Sequence, residues 1–189
     1  MAISLEKNVP FNLTKNAPHV TTFRAGLGWD PASDAYDLDV SVFGLTSASG
    51  APKLLGEPWF VYFNNKNAPN DAIVHSGDNL TGEGEGDDEN IQVVPTKLAP
   101  EIDEVSIIVN IYDAAARHQN FGGVRNAYIN IYNDATNEIL ARYELSSDFV
   151  NETAVQVGSF VKQADGDWTF VAIGAGYEKG LNDFLVIYQ

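Results

Sequence analysis

Cysteine is absent from this chain, and methionine occurs only at position 1. That removes Cys nucleophiles, CxxC redox pairs, thiolate zinc sites and disulfide scaffolds. Basic residues are scarce as well: 11 Lys+Arg stand against 26 Asp+Glu, for a formal net charge of −15. Phosphates are held by clustered Lys and Arg, so nucleic acid is not expected as a partner. An anionic membrane surface is disfavoured on the same ground, unless a cation bridges the two. No run of the length a membrane span needs, about eighteen apolar residues, is present, so no direct membrane insertion is expected. The first residues lack the apolar core of a secretory leader, and a cytoplasmic protein is the expectation. The glycosylation-like tripeptides at Asn12, Asn79 and Asn151 then read as chance matches. Neither a G-x-S-x-G elbow nor a Gly-Lys-Ser/Thr phosphate loop occurs.

What is present is enough apolar material for one core. The 189 residues are 44% apolar and 11% aromatic, which predicts a single domain over 1–189. Period-two alternation dominates. Phe23, Ala25 and Leu27 share one face; Tyr36, Leu38, Val40 and Val42 share another, with Asp37, Asp39 and Ser41 opposite. Short alternating runs occur at 3–6 and 11–14. Residues 59–63 are almost continuously apolar, as in a strand covered on both faces. Further strands are predicted over 91–94, 105–112, 127–132, 138–145, 154–161 and 168–172. Turn-rich clusters separate them at roughly ten-residue spacing. Helical patterning is limited to single turns at 113–117 and 146–152 and a short helix at 181–187. The expected fold is an all-β, two-sheet β-sandwich, C2-like in style, with a few short helices.

The acids concentrate in two segments. Asp30, Asp34, Asp37 and Asp39 form the first. The second runs through Asp78, Asn79, Glu83, Glu85, Asp87, Asp88 and Glu89, laced with Gly82, Gly84 and Gly86. Between Lys66 and Lys97 there is no Lys or Arg. Alternate glycines give a backbone able to curl and present carbonyl oxygens, and the acids add hard anionic oxygens. That combination suits Ca²⁺, which takes six to eight oxygen ligands. Asp37 and Asp39 point to one side of a strand, about 6.7 Å apart, and can share a cation. Asp30 is placed near the same end of the sandwich, and Asn64 and Asn65 offer amide oxygens there. The loop is not an EF-hand, because Leu80 stands where a ligand is required. It resembles one turn of a glycine-rich calcium β-roll, without the repeat. The competing reading is a solvated acidic turn beside an exposed strand face. His19, His75 and His118 read as surface or packing residues. The Asp113, Arg117, His118 and Asn120 cluster reads as a structural turn rather than a polar pocket.

Several strings together resemble one family. Gly26-Leu-Gly-Trp-Asp, Asp37-Leu-Asp, Phe63-Asn-Asn, the run from His75 through the glycine-rich loop to Glu89, and Gln119-Asn-Phe-Gly are similar to the TerD family of bacterial tellurium-resistance and stress proteins. The resemblance covers essentially the whole chain. It implies a cytosolic β-sandwich that binds about two Ca²⁺ and has no established catalytic activity. It implies calcium ligands at Asp37, Asp39, Asp78, Asp87, Asp88 and Glu89, joined by Asp30, Asn64, Asn65, Asn79 and Glu83.

The function expected is therefore a non-enzymatic calcium-binding stress-response protein. It would act as a module among other stress or resistance proteins, at the inner membrane surface. Two alternatives use the same acids: a calcium-dependent, lectin-like ligand-binding module, and a hydrolase with one acid as base.

Overall fold

The computed structural model describes residues 20–31 and 35–189, together with the backbone of two short strands, β1 (Ile3–Ser4) and β2 (Pro10–Phe11). Asn12, His19, Asp34 and most of the runs at 3–6 and 11–14 lie outside the described residues. The remaining strands are β3 (Phe23–Asp30), β4 (Leu38–Thr46), β5 (Lys53–Leu54), β6 (Phe60–Val61), β7 (Ile73–His75), β8 (Glu89–Val93), β9 (Glu104–Ile111), β10 (Arg125–Asn133), β11 (Glu138–Glu144), β12 (Ala154–Lys162) and β13 (Trp168–Tyr177). Helices are short: α1 (Ala114–Arg117), α2 (Leu145–Asp148) and α3 (Leu181–Ile187).

Two sheets face each other. One runs β1-β11-β10-β3-β8-β7; the other runs β2-β13-β12-β9-β4-β5, with β6 also paired to β4. Pairing is antiparallel except between β1 and β11. Alternation decides which side chains meet. Ala25, Leu27, Ile91, Ile129 and Ile131 from the first sheet pack on Leu38, Val40, Val42, Ile107 and Val109 from the second.

The second sheet is apolar on its outer side as well. Phe43, Leu45 and Ile108 point away from the main core and are covered by Phe184 and Tyr188 of the α3 segment. Leu181, Phe184, Leu185 and Tyr188 recur at helical spacing and form the covering stripe. Asp183 at the third helical position accepts a hydrogen bond from the Gly180 N–H at 2.8 Å and fixes the helix start. Asp39 and Ser41 share this outer side, and both are buried on a strand whose alternation suggests a wet face.

The run at 59–63 is not the expected doubly covered strand. Pro58 opens a 3₁₀ turn over Glu57–Trp59, only Phe60–Val61 pair with β4, and Tyr62 bridges to Asn65 in a tight turn. The helical turn expected at 146–152 sits earlier, at Leu145–Asp148. Helices α1 and α3 fall where the sequence places them.

Candidate metal centre

The two acidic segments converge where β4 begins. Carboxylate oxygens of Asp37, Asp39 and Asp78 lie within 4.8 Å of one another. Asp37 is 6% exposed and Asp39 2% exposed, while Asp78 is open to solvent. The exposed-strand reading of the Asp37/Asp39 pair is thereby set aside. Burial pushes the Asp37 carboxyl up to about 6, with the Asp78 charge adding to it. Burial also pushes Asp39 up to about 8, reinforced by the charges of Glu89, Asp37 and Asp78. The Asn110 amide donates to Asp39 Oδ2 at 3.2 Å and offsets only part of this.

Glu89 lies beside the triad, fully buried at the start of β8. Its Oε2 accepts the Val40 N–H at 2.9 Å, and its Oε1 accepts the Asn79 N–H at 3.2 Å. One carboxylate therefore ties the first sheet to the second and to the acidic loop. His75 sits 3.5 Å from Glu89 Oε2. The Gly77 N–H donates to His75 Nδ1 at 3.0 Å, so the proton is on Nε2, which faces the Val40 carbonyl at 3.2 Å. The packing reading of His75 is right, but its place is inside the site.

Asn79 organises the loop that follows. Its Oδ1 accepts the N–H groups of Thr81 and Gly82, and its Nδ2 donates to Asp88 Oδ1 at 3.1 Å. Gly82 has φ +68 and lies so close to Trp29 that an added Cβ would come 2.5 Å from the indole nitrogen. The Trp29 N–H donates to Asp88 Oδ2 at 2.9 Å, pinning the loop to the end of β3. Burial raises the Asp88 carboxyl, and the charges of Asp87, Glu89 and Asp30 reinforce the shift. Asp30 is exposed and accepts from the Asn126 amide at 2.5 Å. It lines a hollow of about 480 Å³ with Trp29, Asn126, Gly82, Gly84 and Gly86.

The remaining sequence-predicted residues are placed elsewhere. Asp87 turns to the outer face of the first sheet. It accepts from Arg24 at 3.0 Å and from the Tyr132 hydroxyl at 3.0 Å. It also fills the space above Gly26, where a Cβ would meet its Oδ2 at 2.1 Å. Glu83 is exposed at the loop tip, and its backbone takes part in the loop's turn. Asn65 donates to the Phe60 carbonyl at 2.6 Å and holds its own turn; Asn64 is exposed. The structure brings together Asp37, Asp39, Asp78 and Glu89, with Asn79 and Asp88 supporting them from the loop.

Arg24, which the sequence reading left aside, is what holds Asp87 on that outer face. Its guanidinium also binds Asp134 at 3.0 Å, Asn90 at 2.6 Å and Asn137, and it stacks 3.9 Å over the Tyr132 ring. It acts as a fixed internal cation for Asp87. Arg24→Gln is expected to lower stability by roughly 1–2 kcal/mol, read in thermal melts, with calcium stoichiometry unchanged. A variant as stable as the wild type would show the cluster to be surface decoration.

Comparison with known proteins places the whole chain in one family. The TerD domain model matches residues 1–188. General stress protein 16U of Bacillus subtilis is 45% identical over 185 residues, spanning 96% of this chain and 94% of that protein. Tellurium resistance protein TerD of Serratia marcescens is 39% identical over 184 residues, with the same coverage. Among solved structures, a Streptomyces coelicolor homologue of telluride resistance protein TerD superposes with a TM-score of 0.76 at 23% identity, covering 88% of this chain and 95% of that one. That likeness is one of fold. The chain belongs to the TerD family.

Proposed function

We propose that this chain is a non-enzymatic, calcium-binding module of a stress or resistance system. The observation that carries the reading is the triad of Asp37, Asp39 and Asp78, gathered within 4.8 Å with two of the three buried. Buried carboxylates this close repel one another unless a cation or protons neutralise them. The donor set fits a hard cation. Among the described residues no Cys contributes, the ligands are carboxylate oxygens, and Asp37 Oδ1 is buried with no hydrogen-bond partner. Asp37, Asp39 and Asp78 would hold the ion, with Glu89 and Asn110 orienting them. A bound Ca²⁺ supplies charge neutralisation and no redox chemistry. A second ion would sit on the other side of the glycine-rich loop, facing Asp30 and Asp88.

The role in stress resistance is carried over from relatives named for tellurium resistance and general stress. With no thiol available, this chain is not expected to reduce tellurite itself. A hydrolase would need two carboxyls pushed in opposite directions, one acid and one base or nucleophile. Asp37 and Asp39 are both pushed up, which suits a shared cation better.

Calorimetric titration of the metal-free protein with calcium, with parallel melts, tests the proposal. At a hundredfold excess over Kd, one site adds about 2.7 kcal/mol, a Tm rise of roughly 5–10 °C. Millimolar calcium giving neither heat nor a shift in Tm would end it.

A further inference from the structure

Two tyrosines of β10 reach the glycine-rich loop from the outer side of the first sheet, with Asn130 between them. The Tyr132 hydroxyl donates to Asp87 Oδ1, and the Tyr128 hydroxyl donates to the Gly86 carbonyl, each at 3.0 Å. Each ring carries an arginine on its face. Arg24 lies 3.9 Å from the Tyr132 ring centre, and Arg142 lies 3.8 Å from that of Tyr128. Arg142 is held in turn by Glu144 at 2.6 Å and by Asn130 Oδ1 at 3.2 Å. The Asn130 amide donates to the Tyr132 hydroxyl at 3.0 Å. Arg142, Asn130, Tyr132, Asp87 and Arg24 therefore form one connected network.

Strand β3 leaves room for this network. A Cβ on Gly28 would come 2.5 Å from the Tyr128 ring, and one on Gly26 would come 2.9 Å from the Tyr132 ring. Side chains at these two places would lift the rings off the sheet. The loop is fixed at further points. The Asp88 N–H donates to the Leu27 carbonyl at 2.7 Å, and Gly82 is held by Asn79 Oδ1 at 3.0 Å. Between the fixed positions 82 and 86 lie only Glu83, Gly84 and Glu85, all exposed. Three successive carboxylates are thereby sent different ways: Asp87 to Arg24, Asp88 to the Trp29 N–H, and Glu89 between the sheets. Ordering a loop around a ligand costs conformational entropy, and a loop already ordered avoids that cost.

The geometry points to Tyr128 and Tyr132 as positioning residues: they hold the glycine-rich loop in one shape before any ion arrives, so that a cation meets a preset receptor and does not have to close a switch. The hold itself is independent of metal; the receptor rests on the calcium reading above.

Amide exchange of the full chain in EDTA reads the hold, and calorimetric titration with calcium reads its consequence. In the wild type the Asp88 amide should be protected at least about tenfold relative to an unstructured peptide. Tyr128→Phe with Tyr132→Phe removes both hydroxyls and keeps both rings. It should speed Asp88 exchange at least about fivefold, and weaken calcium binding at least about fivefold at unchanged stoichiometry. Tyr188→Phe removes a buried hydroxyl that meets Ser106 and Gln156 under α3. It should lower Tm yet leave both loop readouts within about twofold of the wild type. An unprotected Asp88 amide in the wild type would overturn the hold. So would loop readouts that Tyr188→Phe moves as far as the double variant does. Faster exchange with unchanged calcium affinity would overturn the receptor. A wild type that gives no heat with calcium would overturn the calcium reading and the receptor with it, while exchange in EDTA still decides the hold.

Discussion

Asp39→Asn will stabilise the metal-free protein at about pH 8.5 and remove most of the dependence of its stability on pH between about 5 and 8. The cause is the folded-state position of Asp39, pushed up to about 8 by burial and by the charges of Glu89, Asp37 and Asp78. An unfolded-state Asp releases its proton near 3.9. Between those two values the folded chain holds a proton that the unfolded chain has given up, so stability falls as pH rises. The penalty is absent below about pH 4 and complete above about pH 8; Asp37, raised to about 6, contributes to the lower part of the same window. Asparagine keeps the shape and can still accept from Asn110, but it carries no charge. The expected gain is on the order of 3–5 kcal/mol at about pH 8.5 and near zero at about pH 4. Melts in EDTA at the two pH values read it directly. Wild type and variant that melt together at high pH would show that the buried carboxylates do not oppose folding. Added calcium should reverse the ranking, because the wild type gains from the ion and the variant has lost a ligand.

The second large effect is expected at Glu89. Its carboxylate is fully buried and accepts backbone N–H groups from both Val40 and Asn79. Glu89→Ala leaves the buried Val40 N–H and the partly buried Asn79 N–H unpaired and opens a void between the sheets. The loss should be roughly 3–5 kcal/mol. Removing Glu89 also relieves Asp39, so the loss should be larger at about pH 5 than at about pH 8.5. Glu89→Gln keeps one acceptor and should recover about half. Denaturant titration, with amide exchange at Val40 and Asn79, separates the outcomes. A loss below about 1 kcal/mol, with both amides still protected, would show that water replaces the carboxylate without cost.

The gathering of the acids was legible because each of the two segments is local in sequence. Asp37 and Asp39 sit two apart on a strand, and Asp78 begins the glycine-laced loop, so composition and alternation were enough to expect them together. The strand pattern from 105 to 172 and the short helix α3 were legible for the same reason. What was not legible depends on distant partners. Asp87 reads as one more acid in a run, yet Arg24, 63 residues away, claims it. The signal was there in weak form: Arg24 is the one basic residue on a largely apolar, glycine-rich strand. Asn110 interrupts the apolar run of β9, a polar residue that only a buried partner justifies. The run at 59–63 was misread because apolar content does not reveal that Pro58 starts a turn, nor that the chain doubles back at Asn65. Burial of Asp39 could not be read from β4 at all, since its neighbours Asn110 and Glu89 come from β9 and β8, at least 50 positions later.

The interleaved strand order has a consequence for how the molecule comes into being. In space, β3 lies between β8 and β10, and β4 lies between β5 and β9. A nascent chain therefore exposes all four gathered acids, from Asp37 to Glu89, before β9 and β10 have been synthesised. During that interval β4 has only the two-residue strands β5 and β6 to pair with, and like charges have nothing to hold them together. Closing the sandwich must then join segments far apart in sequence, which is slow. The acids are made first and assembled last, so the ionic conditions met during synthesis bear on the yield of folded protein as much as on its later stability.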